Sequence, residues 1–364
     1  MSSIHLCVDV RMLNASGIGT FIKNILPHLL GKMRLSLLYL EKDEEELLSL
    51  PGCNLIPMKS QIYTIAEQFE LPRKIPACDL FWSPHFNIPL FPIKARKRLV
   101  KIHDVAPLAF FSSLSLLQKI YAKLFFNAAL LISDKVTTVS EFSSSEIKKY
   151  CFVKKNTTPI ASSIAPRFFN PISQAMKEAT KKKYRLPNDF LLFVGNVKPH
   201  KNLKRLLEAF KKIPNSYLVL LGEKEKMGTV DKKAIGLVES DSFLKERVLF
   251  TGYVEDSDVP AIYALAKLCI FPSLYEGFGL PPLEALACGC PSVVANMASM
   301  PEICGDAVEY VDPLDIDSIA AGIAKLLSSQ SRCSELLKNG EKLLTRFAPK
   351  NSAESYIKLI ESIL

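Results

Sequence analysis

Two glutamates eight residues apart, Glu276 and Glu284, lie in a segment whose residue types suit a phosphate with hydroxyl groups on either side. Residues 273–285 read SLYEGFGLPPLEA, a glycine-rich turn followed by a proline pair that favours a helix start. A helix start leaves backbone N–H groups without intrahelical partners, and these can bind phosphate. Carboxylates on either side would accept from sugar hydroxyls. The spacing thus predicts a pocket for a sugar joined through a diphosphate to a nucleoside, although an isolated pair is more often an ordinary helix entry with Glu284 on a solvated face.

Two segments of the first half place further ligand-friendly residues at the ends of predicted strands. Gly17 and Gly19 follow the first strand and lead into a helix, where glycine permits close approach of an anion. His103, followed by Asp104, ends another strand and could donate to a substrate hydroxyl or stabilise developing charge. Each signal is weak alone, because such glycines often serve only a tight turn and a His–Asp pair is more often a local hydrogen bond.

Two segments of the second half have the same character. The loop 195–202 carries three basic side chains, those of Lys198, His200 and Lys201. Cations beside a helix N-terminus suit a diphosphate, and we expect Asn202 to cap that helix. The alternative is a basic surface loop. Backbone groups around Tyr253 and Val254 could read the edge of a base. Four loops of this kind at strand ends favour one ligand site over four coincidences.

The elements that must position these residues are strands alternating with helices, which predicts parallel sheets covered by helices. Strands are expected at 4–10, 35–40, 54–58, 80–83, 98–103, 135–139 and 158–161, and then at 190–195, 217–221, 248–251, 268–271, 292–295 and 308–311. Three consecutive helices are expected at 315–327, 331–346 and 349–364. Doubly wound sheets bind ligands beyond the carboxyl ends of their strands, where the candidate residues lie.

A length of 364 residues exceeds what one core usually sustains, so two domains are expected. The polar, lysine-rich segment 170–188 is the predicted boundary, which gives domains 1–170 and 171–346, with a final helix at 347–364 packing back on the first domain. Nine cysteines, scattered without paired metal spacing, predict small core residues in a reducing cytosol and no metal site. The first residues read as a strand rather than a signal peptide, so a cytoplasmic location is expected.

The net charge of +9 is concentrated in the first half, where residues 1–170 hold 21 Lys+Arg against 13 Asp+Glu. A basic cluster of Lys94, Arg96, Lys97, Arg98 and Lys101 precedes an apolar, aromatic stretch at 110–132. Lys119 and Lys123 inside that stretch argue against a membrane span. They permit an interfacial helix on anionic lipid, or simply a core helix with solvated lysines. A nucleic-acid partner is disfavoured because no recognised module accompanies the basic residues.

Taken together, these motifs resemble those of family-4 glycosyltransferases with the GT-B fold. The resemblance covers nearly the whole chain and is most specific at 195–210 and 250–313, with the runs FTGYV, PSLYEGFGLPPLEA and PEICGDA. It implies an α/β architecture of two Rossmann-like doubly wound parallel-sheet domains facing each other across a cleft. It also implies a retaining transferase that moves a hexose from a nucleotide diphosphate sugar to a hydroxyl of a glycan or lipid-linked acceptor in polysaccharide or lipopolysaccharide assembly.

The resemblance assigns roles to individual residues. Glu276 and Glu284 match the two glutamates of the family's E-x7-E motif, the first contacting the donor hexose and the second the ribose. His103, Glu276 and Lys201 are the implied catalytic residues, because Lys201 matches the cation on the diphosphate and His103 a sugar-contacting histidine. The remaining implied donor-binding residues are Gly17, Gly19, Asn196, Lys198, His200, Tyr253, Val254 and the backbone amides of Gly277, Phe278, Gly279 and Leu280.

The family usually transfers without a bound metal, so neither metal nor cofactor is expected beyond the nucleotide sugar. The implied location is the cytoplasm, at the inner face of the cell membrane. Mannose from GDP-mannose is the first-choice donor on family frequency, and UDP-glucose or a rhamnose donor the alternative.

Two departures from the family pattern concern the phosphate clamp and the hinge. Asn196 stands where many members have arginine, with Lys198 or His200 available to substitute. The usual Asn-Gly turn is missing from 160–166. The competing interpretations are a catalytically weak nucleotide-sugar-binding protein of the same fold and a sugar-nucleotide epimerase.

Overall fold

The computed structural model describes residues 4–111, 114–222 and 231–364. It divides the chain into two compact units. Unit 1 comprises Met1–Ala165 and Phe347–Leu364, and unit 2 comprises Pro166–Arg346. The chain thus leaves unit 1 a few residues before position 170. The lysine-rich segment 170–188 lies in unit 2 and includes a helix at Gln174–Lys183.

Unit 1 is built on seven parallel strands in the order β3-β2-β1-β4-β5-β6-β7. They are β1 His5–Asp9, β2 Arg34–Leu40, β3 Asn54–Met58, β4 Cys78–Ser83, β5 Ala95–Ile102, β6 Lys135–Thr138 and β7 Thr158–Pro159. Helices α1 Ser16–Leu29, α2 Glu44–Leu48, α3 Ile65–Lys74, α4 Ala106–Ala109, α5 Leu116–Ile132 and α6 Glu141–Tyr150 connect them. Continuous apolar runs such as 35–40 suit strands buried on both faces, which is why the predicted strands all form.

Unit 2 repeats this plan with six parallel strands in the order β10-β9-β8-β11-β12-β13. They are β8 Phe190–Val194, β9 Tyr217–Leu221, β10 Val248–Phe250, β11 Leu268–Phe271, β12 Ser292–Ala295 and β13 Glu309–Val311. Its helices are α7 Gln174–Lys183, α8 Leu203–Phe210, α9 Lys232–Ser240, α10 Ser242–Arg247, α11 Val259–Leu265, α12 Leu280–Ala287, α13 Met300–Cys304, α14 Ile316–Ser328 and α15 Gln330–Leu344. The doubly wound α/β class predicted from the sequence is confirmed.

The last helix, α16 (Pro349–Ile363), belongs to unit 1 and packs on α1. Its Tyr356 stacks on Trp82 with ring centroids 4.6 Å apart and receives a 2.9 Å hydrogen bond from the fully buried ammonium of Lys101. Lys101 is therefore part of the unit 1 core and not of a basic surface. Burial lowers the pKa of Lys101 well below its ordinary value.

The strand order of each sheet reverses at one point. In unit 1 the reversal lies between β1 and β4, and in unit 2 between β8 and β11. At such a switch point the loops leave two adjacent strands in opposite directions, which opens a crevice at the carboxyl ends. A ligand site is therefore expected where the loops after β8 and β11 meet, and a second where the loops after β1 and β4 meet.

Candidate functional site

An ion pair joins the two loops at the switch point of unit 2. Nζ of Lys201, after β8, lies 2.6 Å from Oε1 of Glu276, after β11. Both side chains are largely shielded, with 16% and 15% of their surfaces exposed. The Lys201 ammonium also lies 5.3 Å from the ring centroid of Phe271. The sequence predicted one ligand site from these two residues, and the structure brings them into contact.

Asn202, after β8, links its own loop to the loops after β11 and β13. It adopts a left-handed backbone conformation, with φ of 62°. Its Nδ2 donates to the carbonyls of Pro272 at 3.1 Å and Pro313 at 2.7 Å. The predicted helix-capping role is wrong, because the side chain faces these carbonyls and not the first amides of α8. A further backbone bond, from Leu274 N–H to the His200 carbonyl at 2.7 Å, locks the loops in register.

The glycine-rich turn is held by the start of α13. Oγ of Ser299 lies 3.0 Å from the Glu276 carbonyl and 2.9 Å from that of Phe278. Gly279 has φ of 95°, and a Cβ there would lie 2.2 Å from the Met300 side chain. Glycine suits this position because it adopts a positive φ readily and has no Cβ to meet Met300. Helix α12 then begins at Leu280 without a side-chain cap, and since Pro281 and Pro282 carry no N–H, the Leu280 N–H is the donor that its first turn offers to a ligand.

Glu284 lies in α12 in a strongly desolvated environment. The Tyr263 hydroxyl donates to its Oε2 at 3.0 Å. Burial raises the pKa of Glu284 to about 7, against the opposing effects of the Tyr263 hydrogen bond and the Arg167 charge. The expectation of a solvated helix face for this residue is therefore wrong. A carboxylate kept half-protonated near neutral pH gains from any ligand that donates hydroxyl hydrogens to it.

The remaining loops of unit 2 border this crevice. Glycines at the ends of β8, β9 and β10 approach one another closely: Gly222 and Gly252 form a bridge, and a Cβ on Gly222 would lie 2.7 Å from the Gly195 carbonyl oxygen. Beyond them, the Tyr253 side chain is 69% exposed whereas Val254 is buried. Tyr253 therefore offers a ring face as well as its backbone.

The basic residues of loop 195–202 differ in environment. Asn196 is exposed and Lys198 half-buried. Burial lowers the pKa of His200 to about 4, so it is neutral at physiological pH. This makes His200 a poor substitute for the family's arginine. Lys198 remains as the second cation of the loop.

His103 lies in unit 1, at the carboxyl end of β5. Its Nε2 is 2.9 Å from the Pro84 carbonyl, and its ring packs edge-on against Phe21 at 5.5 Å between centroids. A carbonyl can only accept, so Nε2 carries the proton and Nδ1 is the acceptor. Burial and then the charge of Lys101 lower the pKa of His103 to about 3. The Nε2–H donor of His103 is thus already used by the Pro84 carbonyl, and His103 is suited to accept a hydroxyl hydrogen at Nδ1.

Gly17 and Gly19 lie within the first turn of α1. A Cβ on Gly19 would lie 2.2 Å from the Leu13 carbonyl oxygen, so packing of the preceding turn explains this glycine. Gly17 has open space around its Cα. Of the two, Gly17 is the one that leaves the backbone accessible.

Three residues of the site have roles that the sequence did not predict. Tyr263, Ser299 and Asn202 act through hydrogen bonds to partners 21 to 111 residues away. No local pattern encodes such pairings. Ser299 lies just before the PEICGDA run, which is the nearest hint.

A metal centre and a membrane-spanning helix are two other kinds of site. Within residues 4–111, 114–222 and 231–364, no cluster of three or more His, Cys, Asp or Glu side chains is arranged to hold a metal ion. Among the same residues, each helix is too short or too polar to cross a bilayer.

Comparison with known proteins defines the class. The fold resembles the solved structure of Anabaena HepE in complex with UDP-glucose, with a TM-score of 0.79 and 15% identity over 99% of this chain and 100% of that one. Residues 176–343 match the model of the family described as glycosyl transferases group 1. The region 176–343, which lies within unit 2, is therefore similar to the group 1 glycosyltransferases, the group that the motifs resemble.

Its curated relatives include two Escherichia coli proteins. The serotype-specific mannosyltransferase WbdA is 30% identical over 240 residues, which cover 63% of this chain and 29% of WbdA. The O-antigen chain mannosyltransferase B is 38% identical over 205 residues, which cover 54% of this chain and 52% of the relative. The matched region thus spans about half of one relative's length and under a third of the other's.

Proposed function

We propose that this protein is a retaining hexosyltransferase that uses a nucleotide diphosphate sugar bound to unit 2. It would transfer the sugar to a hydroxyl of a glycan or lipid-linked acceptor in polysaccharide or lipopolysaccharide assembly. The observation that carries the proposal is the contact between Lys201 and Glu276 at the switch point of unit 2. A cation for the diphosphate and an acceptor for sugar hydroxyls then lie side by side, ahead of a helix start.

The proposed chemistry uses these groups as charge develops. The bond between the sugar C1 and the diphosphate oxygen breaks as the acceptor oxygen approaches C1 on the same face. Negative charge accumulates on the departing diphosphate, where the Lys201 ammonium and the backbone amides of Gly277 to Leu280 would stabilise it. The departing phosphate oxygen takes the acceptor's proton, so the products are a glycoside and a nucleoside diphosphate. Ionised Glu284 would accept from the ribose hydroxyls.

Mannose is the proposed sugar. Both Escherichia coli relatives are named mannosyltransferases, and the family match at 176–343 includes the E-x7-E segment. GDP-mannose is therefore the first donor to assay, beside UDP-glucose, UDP-N-acetylglucosamine and dTDP-rhamnose. We propose that transfer needs no bound metal or cofactor, so that activity survives a chelator such as EDTA.

The site assignment is tested by Lys201→Ala and Glu276→Ala, assayed with the donor that the wild-type protein uses. Each should lower kcat/KM by about 10²-fold or more, because each removes a charged contact to the reacting groups. Lys212→Ala is a matched control, since Lys212 also pairs with a carboxylate of unit 2, that of Asp317, but on an exposed surface. Wild-type rates in the two site variants would show that the assignment is wrong.

A catalytically weak nucleotide-sugar binder is the alternative, favoured by exposed Asn196 in place of arginine. The two functions differ in turnover. Nucleoside diphosphate release that rises on addition of a glycan acceptor supports the transferase. Tight donor binding with no release supports the binder.

We further propose that unit 1 contacts anionic membrane through α5. One side of this helix exposes aliphatic side chains, those of Leu116 (73%), Leu117 (79%), Ile120 (56%), Leu124 (52%) and Leu131 (68%). Phe152 beside it is 75% exposed. Lys119 and Lys123 flank the stripe, which lets apolar groups enter lipid while ammonium groups meet headgroups.

The basic cluster that precedes α5 contributes less to this surface than its charge suggests. Arg96 and Lys97 pair with Asp79 and Asp134 at 3.3 and 3.0 Å, and Arg98 donates to the Pro89 and Phe91 carbonyls. The α5 face is therefore the better target. Leu117→Ser with Ile120→Ser should reduce flotation with phosphatidylglycerol vesicles, whereas Leu314→Ser, which changes a leucine of unit 2 that is 54% exposed, should not. Equal flotation of all three proteins would exclude α5 as the contact.

A further inference from the structure

A fully buried ionic network lies at the switch point of unit 1. Nη2 of Arg11 contacts Oδ2 of Asp9 at 2.6 Å and Oε1 of Glu67 at 2.5 Å, and Nε of Arg11 contacts Oδ1 of Asp9 at 2.8 Å. All three side chains have no exposed surface. Removing three charges from water is unfavourable, and a buried triad is seldom the most stable choice. The network is better explained by the groups that it positions than by its contribution to stability.

What the network positions is the backbone of Tyr63. Oε2 of Glu67 accepts from the Tyr63 N–H at 2.9 Å and from Nδ2 of Asn87 at 2.6 Å. Asn87 in turn accepts from the Tyr121 hydroxyl. Arg11 thus orients the Glu67 carboxylate, and the second oxygen of that carboxylate accepts hydrogen bonds from the loops that carry Tyr63 and Asn87.

Tyr63 adopts a conformation that its residue type disfavours. Its φ is 65°, in the left-handed region where a side chain meets its own backbone. Strained residues of this kind persist when the surroundings impose them, and they concentrate at functional sites. The strain presents the ring at the surface. Its side chain is 44% exposed, while Phe86 stacks on it and Tyr121 packs edge-on, both at 5.9 Å between centroids.

The position of this ring matches that of a ligand site. Asp9 ends β1, and His85, whose Nε2 lies 3.4 Å from Oδ2 of Asp9, follows β4, so the contact crosses the point where strand order reverses. The loop that carries Phe86 begins at Pro84, whose carbonyl binds His103. Tyr63 therefore belongs to the same strand-end surface as His103.

The charges around Tyr63 indicate what it could bind. Burial, followed by the negative charges of Glu67, Asp104 and Asp9, raises the pKa of Tyr63 to about 12. Arg11 is the nearby cation, and two carboxylates already neutralise it. A phosphate or anionic headgroup would be repelled here. A neutral polyol is favoured, because its C–H face packs on an aromatic ring and it carries no negative charge to be repelled.

We propose that Tyr63 is a recognition residue for a sugar unit of the acceptor glycan, with the pyranose ring stacked on the exposed face of its side chain. This assignment rests on the proposed function and adds the acceptor side to it. The Arg11 network acts as a positioning device that holds the ring in its strained orientation.

The test is binding of disaccharides to the full chain without donor, measured by saturation-transfer NMR. The probes are α-linked mannobiose, α-linked glucobiose and chitobiose. Tyr63→Ala and Tyr63→Gly should weaken binding of the preferred probe about tenfold, whereas Tyr63→Phe should keep it within about threefold because the ring remains. Tyr217→Ala, which removes a tyrosine of unit 2 that is 43% exposed, should bind like wild type.

The glycine variant guards against misfolding as an explanation. Glycine adopts the left-handed region readily, so Tyr63→Gly should unfold at a temperature equal to or above that of Tyr63→Ala while losing the sugar. Wild-type binding by both Tyr63→Ala and Tyr63→Gly, or binding of none of the three probes by the wild-type chain, would overturn the proposal. Lys201→Ala should bind the disaccharide as the wild type does, because Lys201 lies in unit 2. If the transferase assignment fails, disaccharide binding by the Tyr63 variants still tests the role of Tyr63.

Discussion

Lys201 and Glu276 neutralise one another across a 2.6 Å contact that joins the loops after β8 and β11. The two groups proposed to hold the donor's phosphate and sugar are each other's partner here. A donor that inserts its diphosphate beside Lys201 and a hydroxyl beside Glu276 replaces the ion pair with two contacts to the ligand. One is ionic, from Lys201 to the diphosphate, and the other is a hydrogen bond from the hydroxyl to Glu276. Their contributions should therefore be coupled.

A double-mutant cycle measures this coupling. Lys201→Ala and Glu276→Ala should each lower kcat/KM by about 10²-fold or more, but the double variant should fall short of the product by about tenfold, because each single change leaves the other charge unpaired. The measurement is steady-state kinetics with one donor. Strict multiplicativity would show that the pair acts independently in the reaction.

Glu284 should make donor affinity depend on pH. Burial raises its pKa to about 7, and only the ionised form accepts two ribose hydroxyls. Affinity for a nucleoside diphosphate should therefore rise between pH 6 and pH 8, and calorimetry should detect proton release. In Glu284→Gln this dependence should disappear. A pH-independent wild-type affinity would contradict the ribose role.

The same shift has a consequence for stability. The pKa of Glu284 in the folded state lies above its ordinary value of 4.5, so the folded state binds the extra proton between about pH 4.5 and 7. Folding is favoured below this window and loses up to about 3 kcal/mol as pH rises through it. Relative to wild type, Glu284→Gln should become more stable as pH rises from 4.5 to 8 in urea denaturation.

Replacement of Asn202 by alanine or glycine should lower the stability of the protein. Alanine would lose the bonds to Pro272 and Pro313 and keep the strained φ of 62°, at a cost of about 2–4 kcal/mol. Glycine would relieve the strain alone, so Asn202→Gly should lie between alanine and wild type in urea denaturation. If both variants match wild type, the two loops do not depend on this side chain.

Two glycines of α1 offer a matched pair. Gly19→Ala places a Cβ 2.2 Å from a backbone oxygen and should destabilise unit 1 by about 1–3 kcal/mol. Gly17→Ala meets open space and should be neutral or stabilising by up to about 1 kcal/mol, since alanine favours helix. Thermal unfolding of both variants distinguishes them. If Gly17 serves close approach of the donor, Gly17→Ala should still raise the donor KM.

His103 should remain neutral throughout the working pH range. Its pKa of about 3 in the folded state lies below the ordinary 6.5, so its contribution to stability is complete above pH 6.5 and is lost as pH falls towards 3. Ring 15N shifts should report the Nε2-protonated neutral form at pH 5 to 8. A titration near pH 6.5 assigned to His103 would contradict its burial.

The sequence by itself determined the architecture and located the loops that carry the residues proposed for the donor side. Apolar runs such as 35–40 and 268–271 are local and periodic, and they predicted strands that form within a few residues of the expected bounds. Strand ends in a parallel sheet converge, so the loops with Lys201 and Glu276 could be expected to meet. The domain-scale pattern is strong because many residues contribute to it.

Only the tertiary structure decided the state of each group. Glu284 is desolvated beside Tyr263, His103 Nε2 donates a hydrogen bond to the Pro84 carbonyl, and Asn202 donates to carbonyls where a helix cap was expected. The strain at Tyr63 depends on Glu67 and thus on Arg11, none of which forms a motif. Protonation, strain and hydrogen-bond direction are set by neighbours distant along the chain. A local pattern can specify where a residue lies in the fold, but the field and contacts around it arise only when the chain is folded.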